Sequence, residues 1–292
     1  MILVTGADGF VGRHLLPSLG ERAVVAKADV RDAAAVAAEL RAVEPEAVVH
    51  LAALSSVGES WADPVETWRV NVLGTLNVLQ AASSGTRVLL ASTGEVYGNA
   101  RDLPASEDAL LNPVSPYGAS KAAAELACAP ARARGELEIV ITRAFNTEGP
   151  GRDERFALGS WARQIAELEQ AGGGTLLVGD LSAERDIVDV RDACRAYELL
   201  LGPEVEADTY NVASGRAVGM QEVLDMLLGL ARCEIQVERD PERMRPVDIP
   251  ALWGDPAKLE KATGWKAEIP LEQTLSDTLD YARETVAKAT RT

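Results

Sequence analysis

Short continuous apolar runs alternate with amphipathic stretches through the first half of the chain. Ile2–Thr5, Ala23–Ala26, Ala47–Leu51, Val88–Ala91 and Ile139–Thr142 are unbroken runs, the pattern of strands buried on both faces. Between them, Phe10–Leu19 and segments near 32–43, 64–83 and 116–134 carry apolar residues at helical spacing. This alternation predicts an α/β fold, a doubly wound parallel sheet with helices on both faces. One step is anomalous. Between the first helix and the strand at 47–51 there is room for one strand and one helix, where such a sheet normally places two strands.

The second half is less regular. Gly149-Pro150-Gly151 breaks the chain. A helix near 155–170, a strand at Leu176–Val178, a helix over 190–201, a strand at Tyr210–Ala213 and a helix near 219–230 follow. Four prolines between Pro241 and Pro256 mark an irregular stretch. The end, about 271–289, reads as a helix with Leu271, Leu275, Leu279 and Ala282 on one face. The expected division is residues 1–150 with a return segment near 186–213, and a smaller carboxyl-terminal α/β domain formed mainly by 151–292.

Composition narrows the partners. The 292 residues carry a net charge of −16, which counts against nucleic acid and against an anionic membrane surface. No apolar run reaches the length of a membrane span. Met1–Gly6 passes straight into a strand and a glycine turn, so no signal peptide is expected there. Three scattered cysteines and two histidines suit neither a disulfide framework nor a metal site. A soluble, cytoplasmic protein without a metal is the expectation.

Three places carry candidate chemistry. Thr5-Gly6-Ala7-Asp8-Gly9-Phe10-Val11-Gly12 spaces glycines three apart, directly after a strand and before a helix. Such a turn lets backbone N–H groups approach a dinucleotide diphosphate at a helix N-terminus. The acid that would bind a ribose at the end of the second strand has no clear counterpart, although Asp29 and Asp32 lie in range. Lys27 and Arg31 either favour a 2′-phosphate or are solvated charges. The second place is Tyr117-Gly118-Ala119-Ser120-Lys121, whose phenol and ammonium share a helix face at i and i+4. A nearby ammonium is expected to lower the phenol pKa and fit it for acid–base work. The fourth strand ends in Ser92-Thr93-Gly94-Glu95, at the sheet edge where open parallel sheets bind ligands. Ser92 and Thr93 offer hydroxyls to a carbonyl, and Glu95 is either an acid–base group or a solvated charge.

Together these residues resemble the extended short-chain dehydrogenase/reductases, the nucleotide-sugar epimerase/dehydratase superfamily. The resemblance rests on TGADGFVG at 5–12, HLAA at 50–53, NVLGT at 71–75, STGEVYG at 92–98, YGASK at 117–121 and RAFNTEGPG at 143–151. RDIVDVRD at 185–192, YNVASG at 210–215, RMRPVDIPALWGD at 243–255 and TGWKAEIPLEQTL at 263–275 look like its GDP-sugar branch, with GDP-mannose 4,6-dehydratases and GDP-4-keto-6-deoxy-mannose reductases. WARQIAELE at 161–169 and the short length look most like the reductases.

The resemblance implies a Rossmann domain holding NAD(P)(H), with NADP(H) favoured, and C4 keto reduction of a GDP-linked 4-keto-6-deoxy sugar, as in GDP-rhamnose synthesis. Dehydration of GDP-mannose and 4-epimerisation are the alternatives. It implies Tyr117 as general acid, Lys121 on the nicotinamide ribose, Thr93 on the keto oxygen, and Glu95 near the reacting carbons. Gly6, Gly9, Phe10, Val11 and Gly12 would face the diphosphate, Asp29 and Val30 the adenine, and Leu51, Ala52 and Ala53 the length of the cofactor. Ser56 and Asn146 would approach the sugar, Arg185 and Arg245 the GDP diphosphate, and Asp248 the guanosine ribose. A homodimer through a four-helix bundle of 64–83 and 116–134 is also implied. Two departures stand out. Gly94 replaces the Asp or Ser that many dehydratases carry beside the Glu. Thr147-Glu148 replaces a histidine-containing pair, and the extra carboxylate is expected to point to solvent or meet a hydroxyl.

Overall fold

The computed structural model describes residues 1–244 and 247–290. The chain starts with β1 (Ile2–Thr5), α1 (Phe10–Leu19), β2 (Ala23–Val25), α2 (Ala33–Val43) and β3 (Ala47–His50). It continues through α3 (Val57–Ala62), α4 (Pro64–Trp68), α5 (Gly74–Ala81), β4 (Arg87–Thr93), α6 (Pro116–Ala133) and β5 (Glu138–Ala144). Next come β6 (Asn146–Glu148), α7 (Ala157–Ala171), β7 (Gly174–Val178), β8 (Glu184–Arg185), β9 (Ile187–Asp189), α8 (Val190–Leu200) and β10 (Thr209–Val212). The last elements are β11 (Val218–Gly219), α9 (Met220–Gly229), β12 (Ile235–Arg239), β13 (Ala251–Leu252), α10 (Ala257–Thr263) and α11 (Leu271–Ala289).

Among the described residues the main sheet is parallel, in the order β10-β5-β4-β3-β1-β2. Ile2 of β1 sits opposite Ala23 on one side and Ala47 on the other, which makes β2 the edge strand. The sheet thus ends one strand early, as the short interval before residue 47 predicts. The apolar runs bury both strand faces. Leu3, Val48, Leu90 and Ile141 pack with Val36 and Leu40 of α2, Val78 of α5 and Cys128 of α6. Val4, Val49, Leu89 and Val140 pack with Leu15 and Leu19 of α1 and Tyr197 and Leu200 of α8. Period-two alternation therefore divides each strand between two cores.

The single helix predicted over 64–83 is interrupted. A five-residue π turn, Arg69–Leu73, separates α4 from α5 and buries Asn71. The Asn71 amide accepts from the Leu54 N–H at 2.9 Å and donates to the Leu54 carbonyl at 3.0 Å and the Ser120 hydroxyl at 2.9 Å. The widened turn aims this side chain inward and ties the loop after β3 to α6.

Beyond Gly149 a second core gathers Leu158 and Ile165 of α7, Leu176 of β7, Val223 and Leu224 of α9, and Leu275 and Leu279 of α11. The predicted apolar face of the last helix is the face buried there. Strand β12 pairs in parallel with β7 and has no counterpart in the sequence reading. Its residues Ile-Gln-Val-Glu-Arg are mostly exposed, so no long apolar run announces it. The chain returns to the main sheet through α8, which packs on α1, and β10, which pairs with β5. It returns again after β13: α10 packs on α8 and β10, and Trp265 donates its indole N–H to the Asp192 carbonyl at 2.9 Å. Among the described residues no helix is long and apolar enough to cross a membrane.

Candidate active site

A cleft of about 940 Å³ opens at the carboxyl ends of the central strands. Its floor on one side is the glycine turn, with Gly6, Gly9, Phe10, Val11 and Gly12 on the lining. Glycine is required here by contact. A Cβ on Gly6, whose φ is +65°, would lie 2.6 Å from the Ala52 nitrogen, and one on Gly12 would lie 2.3 Å from the Ala7 carbonyl oxygen. Helix α1 begins with Gly9 as its cap, and among the described residues no side chain caps its first N–H groups. A tight turn with a bare helix N-terminus fits a dinucleotide diphosphate. Leu51, Ala52 and Ala53 continue the lining. Behind them His50 meets the Thr5 hydroxyl at 2.7 Å and the Thr75 hydroxyl at 3.1 Å. Burial holds its pKa down to about 3, so the imidazole is neutral.

Asp29 and Val30 are not on the lining. Asp29 is exposed and its carboxylate accepts from the Arg31 guanidinium at 2.9 Å, which lowers its pKa to about 2. Val30 is buried against Gly74, where an added Cβ would stand 2.8 Å from Val30 Cγ2. Both lie in the loop after β2, the sheet neighbour of β1.

Thr93, Glu95, Tyr117 and Lys121 line the cleft together. Ser115 caps α6 by accepting the Gly118 N–H at 3.0 Å, and Pro116 occupies its first turn, so Tyr117 is presented at the helix start. The expected lowering of the phenol pKa is not what the structure gives. Burial pushes Tyr117 up, and a hydrogen bond with Thr93 only partly opposes this. The Lys121 ammonium points elsewhere, donating to the Ala91 carbonyl at 2.8 Å. Burial draws its own pKa down to about 8, with Glu125 acting the other way. Tyr117 is therefore a protonated phenol at neutral pH: it carries a proton, but burial makes it a weaker acid than a free phenol.

Ser92 does not offer its hydroxyl to the cleft, because that hydroxyl donates to Glu125 Oε1. Glu125 also takes Arg143 at 2.8 Å, and Arg143 donates to the Tyr97 hydroxyl at 3.0 Å. Tyr97 in turn donates to Asn211 at 2.7 Å. This buried network under the cleft escaped the sequence reading, since its members are spread over α6, β5, the turn after β4 and β10. Gly94 is hemmed in by Phe145: an added Cβ would lie 2.9 Å from two ring carbons. Phe145 is itself wedged against Gly254 and stacks on Tyr97 at 6.2 Å.

Ser56, Asn146, Arg185 and Asp248 also line the cleft. Ser56 caps α3 by accepting the Glu59 N–H at 3.2 Å. Arg185 and Asp248, expected in separate roles, are ion-paired at 2.6 Å. Arg185 also donates to the Ile249 carbonyl at 2.7 Å. Arg245 lies outside the described residues. The sequence reading missed Arg152, Arg155 and Arg243, which also reach the cleft. Local guanidinium groups of this kind offset the negative charge of the whole chain toward an anionic ligand. Glu148 neither points to solvent nor meets a hydroxyl. It is buried, with Oε2 at 3.3 Å from Arg152 Nε.

The family model described as GDP-mannose 4,6 dehydratase matches residues 17–278. The chain is 37% identical over 288 residues to the GDP-6-deoxy-D-mannose reductase of Pseudomonas aeruginosa, covering 94% of each chain. It is 30% identical over 310 residues to the UDP-glucose 4-epimerase of Mycolicibacterium smegmatis, covering 96% of this chain and 98% of the other. The solved structure of RMD from Pseudomonas aeruginosa complexed with NADPH superposes with a TM-score of 0.87 at 34% identity, over 97% of this chain and 99% of that one. The chain belongs to the GDP-mannose 4,6-dehydratase family, within the extended short-chain dehydrogenase/reductases.

Proposed function

We propose that this chain is an NAD(P)-dependent oxidoreductase that reduces the C4 keto group of a GDP-4-keto-6-deoxy-hexose, with NADP(H) favoured. The GDP-sugar assignment is supported by 37% identity to a GDP-6-deoxy-D-mannose reductase over nearly the whole chain. The reductive direction is carried by one contact. Dehydration needs a further acid–base group beside Glu95, and the Phe145 ring fills the space a side chain on Gly94 would need. Glu95 on the cleft supports GDP-mannose 4,6-dehydration as the second reading, with 4-epimerisation third.

A bound nicotinamide dinucleotide supplies the hydride to C4. Tyr117 gives its phenolic proton to the C4 oxygen, and Thr93 donates a hydrogen bond to the same oxygen. Lys121 holds the nicotinamide ribose. The backbone of the glycine turn takes the dinucleotide diphosphate, and Arg152 stands along the cofactor between the turn and Tyr117. Leu51, Ala52 and Ala53 run along the cofactor, and Asp29 and Val30 take the adenine from the neighbouring loop. Ser56 and Asn146 orient the sugar. Arg185, Arg243 and Arg245 serve the GDP diphosphate, and Asp248 holds Arg185 and reaches the guanosine ribose. Residues 1–150 with 186–213 make the cofactor half, and 151–292 mainly make the substrate half.

The protein is read as a cytoplasmic homodimer. Val65, Trp68 and Leu73 along α4–α5 and Leu126 on α6 are exposed apolar side chains that suit a four-helix bundle with a second copy.

The test is oxidation of NADPH and of NADH on adding GDP-4-keto-6-deoxy-mannose to the purified protein. Substrate-dependent oxidation that Tyr117→Phe abolishes is expected. Its absence, with GDP-mannose dehydrated instead, would move the assignment to the second reading.

A further inference from the structure

Glu148 has a buried carboxylate on the cleft wall, yet nothing in the reduction described above uses it. Its side chain is 4% exposed. Oε2 lies 3.3 Å from Arg152 Nε without hydrogen-bond geometry, so both atoms are buried with no hydrogen-bond partner among the described residues. Arg152 is held flat by aromatic faces, its guanidinium carbon 3.6 Å from the Phe156 ring centre and 4.9 Å from that of Phe10. Other charged or titratable groups nearby are engaged. Asp189, opposite Glu148 on β9, is taken by Arg191 and Thr274. His14 of α1 meets the Pro150 carbonyl at 2.8 Å, and Tyr197 of α8 is a buried neutral phenol.

Glu148 and Arg152 belong to the stretch of wall that joins the glycine turn to Tyr117. Phe10 of the turn packs on Arg152, whose charge also reaches the Tyr117 hydroxyl. A dinucleotide with its diphosphate at the turn and its reactive ring at Tyr117 runs along this wall.

We propose that Glu148 couples a proton to the oxidation state of the nicotinamide: it is a carboxylate beside the cationic oxidised ring and a carboxylic acid beside the neutral reduced ring. The inference rests on the cofactor reading above. The two forms of the cofactor differ by one positive charge on the ring, and a buried carboxylate feels that charge with little screening. Burial alone raises the Glu148 pKa and Arg152 lowers it, so a further cation favours ionisation. Binding of the oxidised form therefore shifts Glu148 toward ionisation and releases more protons to solvent than binding of the reduced form. By linkage, the preference for the oxidised form grows with pH.

The test is calorimetric binding of NADP⁺ and NADPH between about pH 5.5 and about 8.5, in buffers of different ionisation enthalpy, for the wild type and Glu148→Gln. The ratio Kd(NADPH)/Kd(NADP⁺) is expected to rise about tenfold with pH in the wild type and to stay level in Glu148→Gln. The 2′-phosphate is common to both ligands and cancels in the ratio. The wild type is expected to release more protons with NADP⁺ than with NADPH, a readout that stands without the variant. A ratio that is level in the wild type, or unchanged by the substitution, overturns the role of Glu148 alone. If neither dinucleotide binds the wild type, the cofactor reading falls and this inference with it.

Discussion

Lys121 donates its ammonium hydrogen bond to the carbonyl of Ala91 at 2.8 Å, back into the carboxyl end of β4 rather than toward Tyr117 four residues before it. The side chain is buried at this end of the sheet, and its pKa is drawn from the ordinary 10.5 to about 8.

That depression has a definite sign in stability. Between about pH 8 and 10.5 the unfolded chain holds the Lys121 proton more tightly than the folded one, so stability rises with pH through this window. The contribution is complete above 10.5 and is lost as pH falls to about 8. Lys121→Met removes the buried charge. The variant's stability advantage over the wild type should shrink by up to about 3 kcal/mol across this window. Urea unfolding at several pH values would measure it, and a gap that does not change with pH would show that Lys121 titrates normally.

Tyr117→Phe should lower turnover by at least about a hundredfold, the usual worth of a positioned proton donor. The hydroxyl is protonated and lies at the reacting end of the cleft beside Thr93, so its removal should leave dinucleotide affinity within about twofold. Titration of bound NADPH fluorescence separates the two effects. A parallel loss of binding would mean the phenol supports the cofactor rather than the reacting oxygen.

Gly94→Asp tests whether Phe145 closes the place a dehydratase would use. The added Cβ meets the Phe145 ring at 2.9 Å, and overpacking of this kind costs about 1–3 kcal/mol. Phe145→Ala carries its own cavity cost of about 3–5 kcal/mol. The double variant should be less unstable than the sum of the two, because the aspartate then has room. Additive losses in denaturant unfolding would show that the ring and Gly94 are not in effective contact.

The pair Arg143–Glu125 lies under Ser92 with both side chains less than a tenth exposed. Arg143→Met leaves a buried carboxylate without its cation and should destabilise the protein by about 3–5 kcal/mol. Replacing both residues by methionine should recover much of that loss, since two apolar groups leave no unpaired charge. Equal destabilisation of the single and double variants would assign the effect to packing alone.

Much of this was legible in the chain because it is local. Strand runs such as Val48–Val49 and Leu89–Leu90 need no partner to announce that they are buried on both faces. The glycine turn reads as a ligand turn because three glycines stand where backbone must approach backbone. Tyr117 and Lys121 are set on one helix face by spacing alone. The strand missing before residue 47 follows from the length of the interval.

What the chain could not announce depends on groups brought together from distant positions. Whether the ammonium lowers the phenol pKa was decided by the fold, which turns Lys121 to Ala91 and buries Tyr117. Arg185 and Asp248 are 63 residues apart and become one ion pair. Gly94 is closed by a ring 51 positions later, and Glu148 is made a buried charge by Arg152 and the aromatic faces around it. Local propensity and spacing determined the elements and the chemistry they carry. Desolvation and charge pairing are properties of the folded surroundings, so only the tertiary structure decided the state of each group.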